Sequence, residues 1–227
     1  MRYPYLLFDA DNTLFDFDRS NRAAFDAVCA AFSLPDDDET FALYERCNNA
    51  MWAAFDRGEC TKDFLVVQRF RNFLAALGVE RDPAACNALH LRTLGQQSYL
   101  LPHAEEVCRE LSRSHKLYLV TNAVASVQRS RLGRSVIRPY IRDAFISEEA
   151  GAAKPDPAYF DYVFARIGGI TKENCIVIGD SLSSDIRGAN NYGLPCCWYD
   201  PKNSHAPADL RIDYRITDLR QLYDIVE

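Results

Sequence analysis

Tyr5-Leu6-Leu7-Phe8-Asp9-Ala10-Asp11-Asn12-Thr13 runs four apolar residues straight into a pair of acids. A short stretch with no polar alternation predicts a strand buried on both faces, as in a parallel sheet. Ligands of open α/β sheets bind outside the carboxyl ends of the strands, so Asp9 and Asp11 fall where chemistry is expected. Two carboxylates spaced by one residue share a face of a regular strand. Just past its end they can converge, one on a metal and the other on a reacting oxygen. Taken alone, the acid pair also fits a solvated turn.

Working outward, similar apolar runs at residues 116–121, 144–147, 175–179 and 195–199 predict four further strands. Helical patterns lie between them, at 103–115 with Val107, Cys108 and Leu111 on one face, and at 156–167 with Phe160, Val163, Phe164 and Ile167. Strands alternating with helices imply right-handed crossovers and a parallel sheet covered on both sides. One interval breaks the alternation. No strand pattern appears between Asp16 and Leu100, where helices are expected over 20–32, 38–57, 61–77 and 83–98. Thr61 suits an N-cap and Pro83 a first helical turn, while the acidic run at 36–39 reads as a helix-start signal. The expected organisation is therefore an α/β Rossmann-like parallel sheet core, residues 1–15 and 100–227, with an inserted all-helical cap domain, residues 16–99.

Three further polar clusters follow later strands. Thr121-Asn122 offers a hydroxyl, an amide and backbone N–H groups to an anion. Lys154 precedes Pro155, which disfavours the α region and keeps the lysine extended. Gly179-Asp180-Ser181-Leu182-Ser183-Ser184-Asp185 delivers two more carboxylates to the same sheet edge. Phosphoryl transfer needs this combination of nucleophile, proton donor, oxygen-ligated cation and donors for developing charge. Mg²⁺ takes one or two carboxylates along with waters and substrate oxygens, which suits Asp9 and Asp180.

Composition narrows the partners. The net charge of −6 over 227 residues argues against a nucleic-acid polymer as ligand. The longest charge-free runs, such as 117–128, are too short to span a membrane, and no leader pattern precedes Asp9. Eight cysteines without C-x-x-C spacing read as reduced thiols of a cytoplasmic protein. Adjacent Cys196 and Cys197 should face opposite sides of a strand. The four histidines suggest no catalytic role.

In order along the chain, DADNT, TN, K-P and GDSLSSD resemble the four motifs of the haloacid dehalogenase superfamily. More narrowly, DADNTLFDFD, TNAVASVQRSRL, ISEEAGAAKPDPAYFDY and GDSLSSDIRGA are similar to its pyrimidine 5′-nucleotidase-like branch. The resemblance implies a Mg²⁺-dependent phosphomonoesterase, with Mn²⁺ as a substitute, acting on a small-molecule substrate. Asp9 would be the nucleophile and a metal ligand. Asp11 would protonate the leaving oxygen, then activate water, and lend its backbone carbonyl to the metal. Thr121, Asn122 and Lys154 would hold the phosphoryl group, and Asp180 and Asp185 would complete the metal site. Ala123 departs from the glycine frequent at this place, which implies a stiffer loop.

Nucleoside 5′-monophosphates, pyrimidine ones first, are the implied substrates; sugar phosphates or phosphoglycolate are the alternative, because the cap sets the leaving group. Trp52, Arg57 and Gly58 are the cap residues assigned to that choice, although Trp52 and Phe55 at helical spacing also fit a plain core pair. A phospho-accepting receiver is disfavoured because its aspartate should end the third strand, where Ser147-Glu148 stands. A silent binding module should lack the nucleophile or the acid, and both are present.

Overall fold

The computed structural model describes residues 2–226. Six parallel strands form one sheet: β1 (Tyr5–Phe8), β2 (Lys116–Thr121), β3 (Ile141–Ile146), β4 (Cys175–Gly179), β5 (Cys196–Tyr199) and β6 (Tyr214–Ile216), in the order β3-β2-β1-β4-β5-β6. The chain leaves β1 toward β2 and β3 on one side, then returns to build β4, β5 and β6 on the other. That reversal beside β1 is the topological switch point at which such sheets bind ligands.

Alternation along each strand feeds two separate cores. Leu6 and Phe8 join Ile176 and Ile178 on one face, whereas Tyr5 and Leu7 join Cys175 and Val177 on the other. Complete burial of a Leu or Phe stabilises the fold by about 1.5–3 kcal/mol, so β1 and β4 are held from both sides. Cys196 and Cys197 divide between the two faces as their adjacency requires. Two strand expectations need correction. β3 begins at Ile141, not at 144, because backbone pairing with β2 continues past the exposed Arg142 and Asp143. β6 was missed altogether, being three residues long with an exposed arginine at its centre.

Contacts divide the chain into a sheet-bearing unit, up to residue 17 and from 98 onward, and a helical unit of residues 18–97. The helical unit is two residues shorter at each end than the boundaries of 16 and 99 drawn from sequence. Phe15 bridges Leu100, and the Asp16 N–H donates to the Tyr99 carbonyl, so both strands of the crossing belong with the sheet.

The helical unit comprises most of α1 (Phe17–Phe32), with α2 (Asp38–Asp56), α3 (Lys62–Leu77) and α4 (Pro83–Leu94). Asp37, Thr61 and Asp82 cap α2, α3 and α4 by accepting backbone N–H groups from Thr40, Phe64 and Ala84. α1 starts three residues before the expected 20, and α4 stops at Leu94 rather than 98, where Gly95 and Gln96 tighten into a turn. Phe25, Tyr44, Phe70 and Phe73 pack as a ring cluster with centroid separations from 5.1 Å to 5.8 Å. Trp52 and Phe55 meet edge-on at 5.7 Å. Arg57 is exposed and gives Nε and Nη2 to Glu59 at 2.6 Å and 2.7 Å. Gly58 holds φ of 75°, a left-handed turn that a side chain would strain. Among the described residues no helix is long and apolar enough to cross a membrane.

A buried polar network sits beside the ring cluster. The Arg69 guanidinium donates to Asn48 Oδ1 at 2.9 Å, Asn87 Oδ1 at 3.1 Å and the Val66 carbonyl at 3.2 Å. Arg69 Nη2 also lies 3.3 Å from His90 Nδ1. A guanidinium only donates, so Nδ1 accepts and His90 Nε2 carries the proton toward Asn21 Oδ1 at 3.0 Å. Burial first, and the Arg69 charge second, hold the His90 pKa well below 6.5. An unfolded histidine binds a proton near 6.5 and the folded one does not. Stability is therefore complete above that pH and lost progressively as pH falls toward the folded value. Melting temperature should decline from pH 7 to pH 5, and more steeply in the parent chain than in His90→Gln. Parallel declines in the two would remove His90 as the cause.

Candidate active site

Asp9 follows β1 directly, and its N–H donates to the Ile178 carbonyl at 2.7 Å, locking the acid opposite Gly179 of β4. Its carboxylate is buried, with Oδ1 accepting from Lys154 Nζ at 2.7 Å. The other Lys154 ammonium bonds reach Asp185 Oδ1 at 2.5 Å and the Val120 carbonyl at 2.6 Å. Lysine has three N–H donors, and all three are directed into the protein. A phosphoryl oxygen meeting this ammonium would have to share the bond now made to Asp9.

Lys154 is delivered by the loop between the short helix Ser147–Ala150 and the helix Pro157–Phe164, across a cis Lys154–Pro155 peptide. The Asn122 side chain grips that loop from both ends, its Nδ2 donating to the Lys154 carbonyl at 2.8 Å and its Oδ1 accepting the Lys154 N–H at 3.0 Å. The Asn122 side chain, expected from sequence at the phosphate, thus holds the lysine backbone with both its Oδ1 and its Nδ2. Thr121 is buried at the end of β2, where its hydroxyl accepts the Ala123 N–H at 3.2 Å. Ala123 is not among the positive-φ residues, so the backbone does not require the glycine common at that place.

Beyond β4, Asp180 precedes a one-turn π-helical segment, Leu182–Ile186, and Asp185 lies within it. Wide turns of this kind often sit at functional sites. Asp185 is fully buried, with Oδ1 on Lys154 and Oδ2 accepting the Ser181 N–H at 3.1 Å. Gly179 makes room for it, since a Cβ there would stand 2.2 Å from Asp185 Oδ2. Gly179→Ala should therefore displace Asp185, costing about 1–3 kcal/mol from overpacking and about 100-fold in turnover. Calorimetry alongside steady-state kinetics checks both effects, and an unchanged kcat would separate Asp185 placement from catalysis.

One oxygen each from Asp9, Asp180 and Asp185 can be chosen so that all lie within 4.8 Å of one another. Burial, then the Asp185 charge, push the Asp9 pKa up to about 7 despite Lys154. Asp180 is raised for the same kind of reason, by burial and then by Asp9 and Asp185. Burial works against the Lys154 charge, but Asp185 and Asp9 more than offset it and hold its pKa above the ordinary lysine range. A single ammonium thus balances three crowded carboxylates. Oxygen donors in surplus negative charge suit a hard divalent cation such as Mg²⁺.

The Asp11 carboxylate stands outside this cluster and pairs with Arg131 on the helix Ala125–Arg134. Thr13 links the acids instead: its hydroxyl lies 3.3 Å from Asp180 Oδ1 and 3.5 Å from Asp9 Oδ2, and it accepts the Asp180 N–H at 3.1 Å. Trp198 Nε1 holds the Asp180 carbonyl at 2.9 Å. Thr13, Arg131 and Trp198 lie outside the site residues expected from sequence. Gln128 and Arg131, one helical turn apart, carried a signal as a polar pair on an otherwise core-facing stripe. Trp198 carried none. Trp52, Arg57 and Gly58 belong to the helical unit.

Residues 3–193 match the haloacid dehalogenase-like hydrolase family. The HAD-hydrolase YfnB of Bacillus subtilis is 35% identical, with 99% of this chain aligned to 96% of that protein. A crystal structure of YfnB bound to magnesium superposes with a TM-score of 0.95 over 100% of both chains. Pyrimidine 5′-nucleotidase PynA of Streptococcus pneumoniae is 31% identical, over 100% of this chain and 96% of that one. Pyrimidine 5′-nucleotidase YjjG of Escherichia coli is 28% identical, over 100% and 99%.

Proposed function

The chain belongs to the haloacid dehalogenase-like hydrolases, and from that premise we propose a Mg²⁺-dependent phosphomonoesterase that forms an aspartyl-phosphate on Asp9. The carrying observation is the Asp9 carboxylate set at the switch point, bonded to Lys154 and grouped with Asp180 and Asp185. Asp9, Asp180 and Asp185 would hold the cation, joined by the Asp11 carbonyl. When bound, it would screen the charge of both Asp9 and the phosphate.

In the first step an Asp9 carboxylate oxygen forms a bond to phosphorus as the ester P–O bond breaks, and Asp11 gives its proton to the departing oxygen. In the second, the Asp11 carboxylate takes a proton from water. The resulting oxygen attacks phosphorus, freeing Asp9 and inorganic phosphate. Lys154 offsets the charge of Asp9 throughout, while Thr121 and the backbone of the Asn122 loop receive the phosphoryl oxygens.

For the substrate we propose nucleoside 5′-monophosphates, pyrimidine ones first. The support is that PynA and YjjG, both pyrimidine 5′-nucleotidases, align with nearly the whole chain. A phosphate-release screen across nucleoside monophosphates, sugar phosphates and phosphoglycolate tests this, ranked by kcat/KM. A sugar phosphate or phosphoglycolate at the head of that ranking would replace the nucleotide reading. Trp52→Ala belongs in the same screen. Base stacking on Trp52, worth about 1–3 kcal/mol, should appear as a raised KM for nucleotides with p-nitrophenyl phosphate turnover kept. Uniform loss with a lowered melting temperature would instead assign Trp52 to packing with Phe55.

A further inference from the structure

Arg131 is completely buried, although a charged guanidinium is among the most costly groups to take out of water. Its surroundings fix it from several sides. The Phe15 ring lies 4.8 Å from its Cζ, and Nη1 donates to Gln128 Oε1 at 3.3 Å and to the Asp11 carboxylate. The helix that carries it is anchored as well. Glu148 accepts the Ala125 N–H at 2.9 Å, and Arg129 donates to the Ala144 carbonyl at 2.9 Å and to Glu149 at 2.6 Å.

Asp11 is the adjustable member of the pair. Its side chain keeps a quarter of its surface exposed, against none for Arg131. Its backbone is held, since Asp11 bridges Phe15 and the Asn12 N–H donates to the Phe15 carbonyl at 2.8 Å. What remains to be set is the direction of the Asp11 side chain, and the Arg131 bond sets it. Phe15 serves both sides, closing the Asp11 loop and stacking on the guanidinium.

We propose that Arg131 is a positioning residue that orients the Asp11 carboxylate for proton transfer to the ester oxygen and from the attacking water. This rests on the acid–base assignment of Asp11 made above. Proton transfer demands close alignment, and misplacement by about 1 Å costs roughly 100-fold. The cost falls on leaving groups that need a proton. Alkyl oxygens such as the 5′ oxygen of a nucleotide need one, and p-nitrophenolate does not.

Arg131→Met, Arg131→Lys, Asp11→Asn and the double Asp11→Asn/Arg131→Met variant are compared on uridine 5′-monophosphate and p-nitrophenyl phosphate. Arg131→Met should lower kcat on the nucleotide by about 30–100-fold and on the aryl phosphate by less than about 5-fold. Arg131→Lys should recover part of the nucleotide loss. In the double variant Arg131→Met should add nothing to Asp11→Asn, because there is no longer a carboxylate to orient. Equal loss on both substrates, or full additivity in the double variant, overturns the proposal and makes Arg131 structural. The Asp11→Asn arm separates the two layers. If Asp11→Asn itself fails to discriminate between leaving groups, the acid–base assignment falls and this inference with it. Should Arg131→Met not fold, the ratio of the two losses in Arg131→Lys carries the same decision.

Discussion

Asp9→Asn is expected to lower kcat by roughly 10⁴-fold or more, since a carboxamide cannot attack phosphorus and no other side chain can take its place. The substitution is nearly isosteric, and its oxygen can still accept from Lys154, as Asp9 Oδ1 does at 2.7 Å. The fold should therefore survive, and melting in the absence of metal should rise. One of three crowded carboxylates has become neutral, and the ammonium keeps its direct ion pair with Asp185. Substrate should still bind, with KM replaced by a measurable Kd. Multiple turnover by a preparation shown free of deamidation would exclude the covalent pathway. Low activity with a collapsed melting temperature would show only that Asp9 is needed to neutralise Lys154.

Removal of divalent metal should have a comparable effect. Chelation is expected to lower activity by about 10³-fold or more, matching the several kcal/mol that a bound cation contributes to transition-state charge. Mg²⁺ or Mn²⁺ should restore it. Ca²⁺ should not, because its longer bonds and higher ligand number favour chelation by both Asp9 oxygens.

The stability of the metal-free chain supplies an independent readout. Asp9 has its pKa raised to about 7, so folding holds a proton there that an unfolded aspartate, with an ordinary value near 3.8, has already released. Stability from this source is present below that ordinary value and is lost as pH rises through about 7. Asp180, also raised, acts with the same sign. A cation reverses the effect by favouring the ionised forms. Added Mg²⁺ should thus raise the melting temperature more at pH 8 than at pH 6, and Asp9→Asn should flatten the difference. A pH-independent shift would place the binding elsewhere. Full activity in excess chelator would remove the metal from the proposed chemistry altogether.

The sequence by itself determined the layered α/β fold and the edge at which chemistry is expected. Strands buried on both faces have a two-sided signature that survives without any knowledge of neighbours, and Leu6-Leu7-Phe8 and Ile176-Val177-Ile178 carry it. Helix starts were legible for a similar reason. Asp37, Thr61 and Asp82 act on N–H groups two or three residues away, so their effect is local. β6 escaped because three residues, one of them an exposed arginine, have no pattern of their own and pair only because β5 offers an edge.

What only the tertiary structure decided is which side chains meet. Asp11 and Arg131 are 120 positions apart, and Asn122 and Lys154 are 32 apart. No spacing rule covers such distances, because side chains in loops past strand ends take their direction from whatever the sheet brings alongside. Thr13 stood inside a quoted motif with no evident task until β4 brought Asp180 to it. Gly179 read as the end of a strand until the Asp185 carboxylate occupied the space where its Cβ would be. Residue types at the ends of β1, β2 and β4 announced the chemistry. Their division into nucleophile pocket, lysine grip and Asp11–Arg131 pair came from buried charges, each of which had to find a partner once water was excluded.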